Sequence, residues 1–275
     1  MKTSVIVITR NADLYIQDLL DSLIGQVKQP HEVIVTDAES IDDTQQIVKR
    51  YAKRYKFIKL YRDAGTRAQG RNYGVLKATG DIVAFIDADA MANAFWIQEI
   101  ERSCTRADVV AGQEIRFGFG GFSRLPRVAM LHKGVDITYP SVNLAYKKKV
   151  FEEIKGFDPW FKEAEELDLN YRAVDAGYSL IFNEKAIVYH RAREDLPSFI
   201  KQSFWYGFGR KELTLKHGDL WLKYLPVDMV KIDKEESMWK LVRLFFGFFG
   251  YIFCKFFGHK AETKEKLRRS QASER

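Results

Sequence analysis

Cysteine is nearly absent. Cys104 and Cys254 are the only two in 275 residues, far apart and in no CxxC or Cys/His ligand spacing. That argues against a disulfide framework and a zinc site, and it favours a reducing compartment. No secretory leader is expected either. The first apolar run, residues 5–8, is shorter than a signal-peptide core and is cut by Thr9-Arg10-Asn11. The chain is therefore expected to begin folding in the cytoplasm. The aromatic-rich run 244–254, bounded by Arg243 and Lys255, falls short of the roughly 20 apolar residues of a spanning helix. Nucleotide signatures of two common kinds are also missing. The segment from Gly65 to Gly74 has no Walker lysine pattern, and no GxGxxG follows the first strand, which disfavours a dinucleotide oxidoreductase. There is no internal repeat and no interleaved basic–aromatic RNA motif, so no nucleic acid is expected as partner.

What is present is globular. Hydrophobic residues make up 46% of the chain, enough for one large α/β domain or two tightly joined halves. The formal net charge of +7 suits nucleotides, nucleic acid or an anionic membrane surface, although lysine and arginine also simply solubilise a surface. In the first half, short β-branched runs (4–8, 32–36, 57–61, 82–86, 109–111) alternate with helical stretches (13–23, 43–55, 70–78, 95–103). This alternation predicts a mainly parallel sheet covered on both faces, with ligands beyond the carboxyl ends of the strands. After Gly112 the texture changes. Residues 117–122 read as a Gly- and Phe-rich loop, 139–146, 179–182 and 186–190 as strands, and 165–176 as a helix. The expected organisation is a nucleotide-binding half over 1–115, an acceptor half over 116–215, and a helical extension over 216–275 that ends in a solvated tail.

Five places can carry chemistry. Asp87 and Asp89 follow the apolar run 82–86. Two carboxylates one residue apart at a strand end can reach a common ligand, and their oxygens suit Mg²⁺ or Mn²⁺; the plainer alternative is a polar turn capping the next helix. Asp37 ends the second strand and can accept hydrogen bonds from a base or ribose, or cap the turn through Ser40. Arg67 and Arg71 lie in the Gly65–Gly74 segment, where they can pair with phosphate or stay solvated. Glu165, Asp168 and Arg172 share one helix face, and Glu166 lies about 100° round from Glu165. A first-turn carboxylate there can act as a general base or merely complement the helix dipole. His190 ends the run 186–190 and can complete a metal shell with Asp89, or be a structural histidine.

Taken in order, SVIVITRN at 4–11, EVIVTDAESIDDT at 32–44, Arg71-Asn72, Thr79-Gly80-Asp81, Asp87-Ala88-Asp89, Gly156-Phe157-Asp158, EELDLNYR at 165–172 and Tyr189-His190 resemble the glycosyltransferase family-two pattern over roughly the first 190–215 residues. The resemblance implies a GT-A fold, a nucleoside-diphosphate sugar donor, a divalent metal and inverting transfer. Carried onto this sequence, it places Thr9, Asn11, Asp37, Arg71 and Asp87 on the donor and Asp89 and His190 on the metal. Asn143 and Glu165 fall on the acceptor side, and Glu166 at the general base. Two positions depart from the pattern: the base is usually Asp, and the usual Asp-Asp-Gly-Ser is here Asp37-Ala38-Glu39-Ser40.

The expected reaction is therefore metal-assisted single displacement onto an acceptor hydroxyl, with a glycan or lipid-linked acceptor. Residues 240–258, in which Lys240, Arg243 and Lys255 flank the run 244–254 and Lys260 follows, either lie in the interface at the inner face of the cell membrane or pack on protein. Two other readings compete. A sugar-nucleotide nucleotidyltransferase should open with a basic Gly-rich loop, which Val7-Ile8-Thr9-Arg10 does not offer. A non-catalytic nucleotide- or nucleic-acid-binding module is suggested by charge alone.

Overall fold

The β-branched runs near the N-terminus are buried along their whole length, as the centre of a parallel sheet requires. In the computed structural model, which describes residues 1–118, 125, 127–192, 195–218 and 237–258, β1 (Thr3–Thr9) and β2 (Glu32–Asp37) are almost wholly buried, as is β4 (Ile82–Phe85). With β3 (Ile58–Arg62), they pair in parallel in the order β3-β2-β1-β4. Helices α1 (Ile16–Ile24), α2 (Thr44–Arg54) and α3 (Arg67–Lys77) make the crossovers. Helix α1 buries Ile16, Leu19, Leu20 and Leu23 at helical spacing. Helix α3 is opened by Thr66, whose hydroxyl accepts from Gln69 N while the Gln69 side chain accepts from Thr66 N.

The sheet continues through β9 (Leu144–Lys147), β6 (Val109–Phe117), β10 (Leu180–Arg191) and β5 (Ala90–Ala92), giving eight strands in the order β3-β2-β1-β4-β9-β6-β10-β5. Strand β9 runs antiparallel to both β4 and β6, and β10 runs parallel to β6. The carboxyl ends of β1, β2, β4, β6 and β10 therefore share one edge. Helix α4 (Trp96–Cys104) packs against β10, and the short α5 (Lys148–Glu153) follows β9. Strands β7 (Leu131–His132) and β8 (Val135–Asp136) form a separate small hairpin. Helix α6 (Glu165–Asp175) precedes β10.

Three expectations change. Residues 139–146 do not form one strand, since a 3₁₀ turn at Ser141–Asn143 leads into β9. The runs 179–182 and 186–190 are one strand, β10, whose register shifts between Asn183 and Ile187. The Asn183 amide holds the bulge by donating to Glu99 and Ser103. The third change concerns Asn143, which is buried. Its Nδ2 donates to Gln113 O at 3.0 Å and Ala186 O at 2.8 Å, the carbonyls beside the bulge, and its Oδ1 accepts from Trp96 Nε1 at 2.8 Å. A side chain spent in this way presents nothing to an acceptor; it repairs the sheet. Gly112 is required there, because an added Cβ would come within 2.3 Å of Ala186 O.

The chain divides into two compact units, Met1–Trp160 with Glu165–Ala192, and Phe161–Ala164 with Arg193–Arg275. The nucleotide and acceptor halves expected over 1–115 and beyond thus share one sheet. The division expected near 215 falls after Ala192, because α7 (Leu196–His217) packs along α8 (Ser237–Phe257). Asp195 caps α7 by accepting from Ser198 N at 2.7 Å. Glycines bring the two helices together: a Cβ on Gly207 would lie 1.7 Å from Gly247 O, and one on Gly250 1.8 Å from Phe204 O. In the same unit, the buried Glu212 carboxylate accepts from Lys162 N and Glu163 N at 3.1 Å each. The expected loop at 117–122 lies largely outside the described residues, as does the tail from Glu262.

Candidate active site

Two acidic residues just past a strand end gain meaning from what the sheet places beside them. Ile82–Phe85 leads directly into Asp87-Ala88-Asp89, and β5 begins at once with Ala90. Strand β10 runs antiparallel to β5 with His190 opposite Ala90, so the imidazole stands beside Asp89. Ligand atoms of Asp87, Asp89 and His190 all lie within 4.8 Å of one another, and none of the three residues is fully buried. His190 Nε2 is 3.3 Å from Asp89 Oδ1. Two carboxylates and an imidazole converging on one point are a donor set that fits a divalent cation, Mn²⁺ better than Ca²⁺ because of the nitrogen.

The other ring nitrogen is also engaged. His190 Nδ1 lies 2.7 Å from Glu114 Oε1. Arg116 forks onto the same carboxylate, with Nε to Oε1 at 2.9 Å and Nη2 to Oε2 at 3.2 Å. Burial by itself would lower the His190 pKa, but hydrogen bonds to Asp89 and Glu114 outweigh it and push it up to about 10. Burial likewise works to raise Glu114, yet His190 and Arg116 bring it down to about 2. Glu114 belongs to no recognisable motif in the sequence. Its only signal there is an acid inside an apolar strand, and the register that brings it to His190 is not written in either segment.

A second cluster lies at the start of α6. The buried Arg71 donates from Nη1 to Glu165 Oε1 at 2.9 Å and from Nη2 to Asp87 Oδ1 at 3.2 Å. Its guanidinium sits 5.4 Å from the Phe157 ring centre, and Arg67 Nε approaches Glu165 Oε1 at 3.4 Å. Glu165 is itself buried, and its Oε2 has no hydrogen-bond partner among the described residues. Glu166 follows in the first turn. Burial first, and then the neighbouring Glu165 charge, hold its carboxyl well above the ordinary carboxylate range, against opposing pulls from Arg71 and Arg67. The loop before the helix is clasped from α3 by Asn72, whose amide exchanges two bonds with Phe157, O at 2.7 Å and N at 2.9 Å. Arg172 ties that loop to α6, bonding Gly156 O at 2.6 Å while its Nε donates to Asp168 Oδ2 at 2.8 Å.

The remaining candidates spread along the same edge. Thr9 ends β1, and its buried hydroxyl lacks a hydrogen-bond partner among the described residues. Asn11 has φ 52° and fastens two loops, accepting from Ile41 N at 2.9 Å while its own N–H donates to Ser40 Oγ at 2.8 Å. Asp37 is completely buried and caps its own turn. Ser40 N donates to it at 3.0 Å and Gln45 Nε2 at 2.7 Å, and the Ser40 hydroxyl adds a third bond. Its carboxylate shapes the β2–α2 loop. Asp87, Asp89 and His190 thus form one group, joined through Arg71 to Glu165, with Glu166 next along α6, while Asn143 stands apart inside the sheet.

Comparison with known proteins gives a consistent picture. A protein-family model described as glycosyl transferase family 2 matches residues 4–160. Glycosyltransferase AglE of Haloferax volcanii is 28% identical over 226 residues, covering 77% of this chain and 74% of its own. A crystal structure of Staphylococcus aureus TarS 1–349 in complex with UDP-GlcNAc matches with a TM-score of 0.60 at 20% identity, covering 91% of this chain and 82% of that one. The mannosyltransferase PcManGT from Pyrobaculum calidifontis, in complex with GDP-Man and Mn²⁺, matches with a TM-score of 0.62 at 16% identity, covering 98% and 79%. The two structures share the fold of this chain, which is of the GT-A type.

Proposed function

The chain belongs to glycosyltransferase family 2 and is a glycosyltransferase, and from that premise we propose that it moves a sugar from a nucleoside-diphosphate sugar to an acceptor hydroxyl with inversion at the anomeric carbon. The observation that carries the reading is the convergence of Asp87, Asp89 and His190 within 4.8 Å, linked through Arg71 to the Glu165-Glu166 pair. Asp89 and His190 would hold a divalent cation, with Asp87 beside them on the donor ribose. Once bound, the cation supplies Lewis-acid stabilisation of the charge growing on the departing diphosphate. The UDP-GlcNAc on TarS and the GDP-Man and Mn²⁺ on PcManGT support the donor class and the metal.

The chain's own residues do the rest. Glu166 takes the proton of the acceptor hydroxyl. The freed oxygen attacks the anomeric carbon on the face opposite the diphosphate, and the bond from that carbon to the diphosphate oxygen breaks as the new one forms. Glu165, pinned through Oε1 by Arg71, keeps Oε2 to accept from a second acceptor hydroxyl. Thr9 offers its hydroxyl to the donor, while Asn11 and Asp37 act through the loops they tie together. A thermal-shift screen of UDP, GDP and dTDP sugars tests this reading. One donor class is expected to raise Tm with Mn²⁺, by an amount equivalent to about 2.7 kcal/mol at 100 times its Kd, and to do so less in EDTA. No shift with any sugar nucleotide, with or without metal, sinks it. A shift with a nucleoside triphosphate and sugar phosphate instead points to a nucleotidyltransferase.

Helix α8 favours an acceptor presented at a membrane. No helix among the described residues is long and apolar enough to cross one, yet α8 exposes Met238, Leu241, Phe245, Phe248, Phe249, Phe256 and Phe257. Lys240, Arg243 and Lys255 lie on the same helix. Apolar rings with interspersed cations suit the headgroup region of an anionic bilayer. The chain is expected to sediment with vesicles containing anionic lipid, less so as salt rises. Phe248→Asp with Phe249→Asp should lower the partition at least about tenfold, since each ring buried is worth about 1.5–3 kcal/mol. Unchanged sedimentation of that variant refutes the membrane contact.

A further inference from the structure

We propose that Glu114 is a positioning residue for the cation site, acting through His190; the inference rests on the reading of Asp87, Asp89 and His190 as that site. The placement follows from strand register. In the parallel pair β6–β10, Glu114 lies opposite Val188 and Arg116 opposite His190. Side chains two apart on a strand share a face, so Glu114 and His190 are diagonal neighbours on one side of the sheet, within reach of each other. The ring is thereby divided. Nδ1 meets Glu114 Oε1 at 2.7 Å, and Nε2 is turned toward Asp89 at 3.3 Å.

This division has a chemical consequence. A histidine that ligates through Nε2 must carry its proton on Nδ1, and an acceptor on Nδ1 fixes that tautomer, sets the plane of the ring and raises the basicity of the ligating nitrogen. Glu114 can do all three only if its own carboxylate is fixed. The Arg116 fork supplies that, with Nε on Oε1 and Nη2 on Oε2. Glu114 is largely buried, its side chain 13% exposed, so water competes poorly for the bond. Sheet pairing does not call for an acid at this position. The β6–β10 ladder is made by backbone, and the residues to either side, Gln113 and Ile115, are uncharged.

The test is Mn²⁺ affinity measured by electron paramagnetic resonance on the full chain, without substrate. Glu114→Ala is expected to bind Mn²⁺ about 10–100-fold more weakly than wild type, the usual cost of losing such a partner. Glu114→Gln keeps the size and the acceptor oxygen but loses the charge. It is expected to lose about tenfold, and it serves alone if the alanine variant does not fold. His190→Ala is the reference. If His190→Ala weakens Mn²⁺ binding and the Glu114 variants bind like wild type, the role assigned to Glu114 is overturned and the cation site stands. If His190→Ala and Asp89→Ala also bind like wild type, the cation site itself is wrong.

Discussion

Glu166→Gln is expected to transfer sugar about 10²–10⁴-fold more slowly than wild type, a loss of about 3–5 kcal/mol in transition-state stabilisation, while binding the nucleotide sugar as tightly as before. Glutamine keeps the shape and burial of the side chain but cannot accept the acceptor's proton. The loss should therefore fall in kcat and kcat/KM together, with donor affinity untouched. A Glu166→Gln enzyme that turns over at the wild-type rate would falsify the assignment.

Burial and the neighbouring Glu165 raise the Glu166 pKa, which adds two pH signatures. Only the carboxylate is a base, so the acid limb of wild-type kcat/KM should lie above the ordinary carboxylate range. The stability signature has the opposite sign to that of an ordinary paired acid. Folded Glu166 holds its proton more tightly than the unfolded side chain, whose pKa is about 4.3. Between these two values the folded state binds more protons, so stability falls as pH rises through the window. Glu166→Gln removes that fall. The variant should match wild-type Tm near pH 4 and exceed it above the raised pKa. A wild-type Tm that rises relative to Glu166→Gln over the same interval contradicts the raised pKa.

How far the sequence leads can be seen residue by residue. Runs such as 4–8, 32–36 and 82–86 lie in buried parallel strands, and the Asp87–Asp89 pair does fall at the edge where strand ends converge. Those features are local, set by composition within one element. What escapes is pairwise. The resemblance puts Asn143 on the acceptor side, yet its partners belong to a β10 bulge that only the register creates. Glu114 and His190 meet across two strands separated by 76 positions. Gly207 carries no signal of its own in the sequence. Gly207 in fact lets α8 approach, a purpose visible only once Gly247 O is opposite it. The runs 179–182 and 186–190 read as two strands because the bonds from Asn183 to Glu99 and Ser103 that keep β10 on course reach another element.

Arg71→Met should be the most destabilising single change at the site. The guanidinium is buried between Glu165 and Asp87, and methionine keeps most of its volume while leaving Glu165 buried with only Arg67 at 3.4 Å. Removing one partner of a buried ion pair costs about 3–5 kcal/mol, because the other charge is stranded. For a unit of this size that lowers Tm by about 10 °C. The stranded charge can be removed separately. Adding Glu165→Gln to Arg71→Met should recover much of the lost Tm, and a double-mutant cycle should give a coupling of about 1–3 kcal/mol. Activity follows a different rule. The double variant restores the fold but not the bond to Asp87 at 3.2 Å, nor a cation beside the departing diphosphate, so transfer should stay impaired while Tm recovers. Recovery of both would make Arg71 a scaffold residue only, and a Tm for Arg71→Met within about 2 °C of wild type, under about 1 kcal/mol, would show that the pair at the head of α6 does not hold the site together.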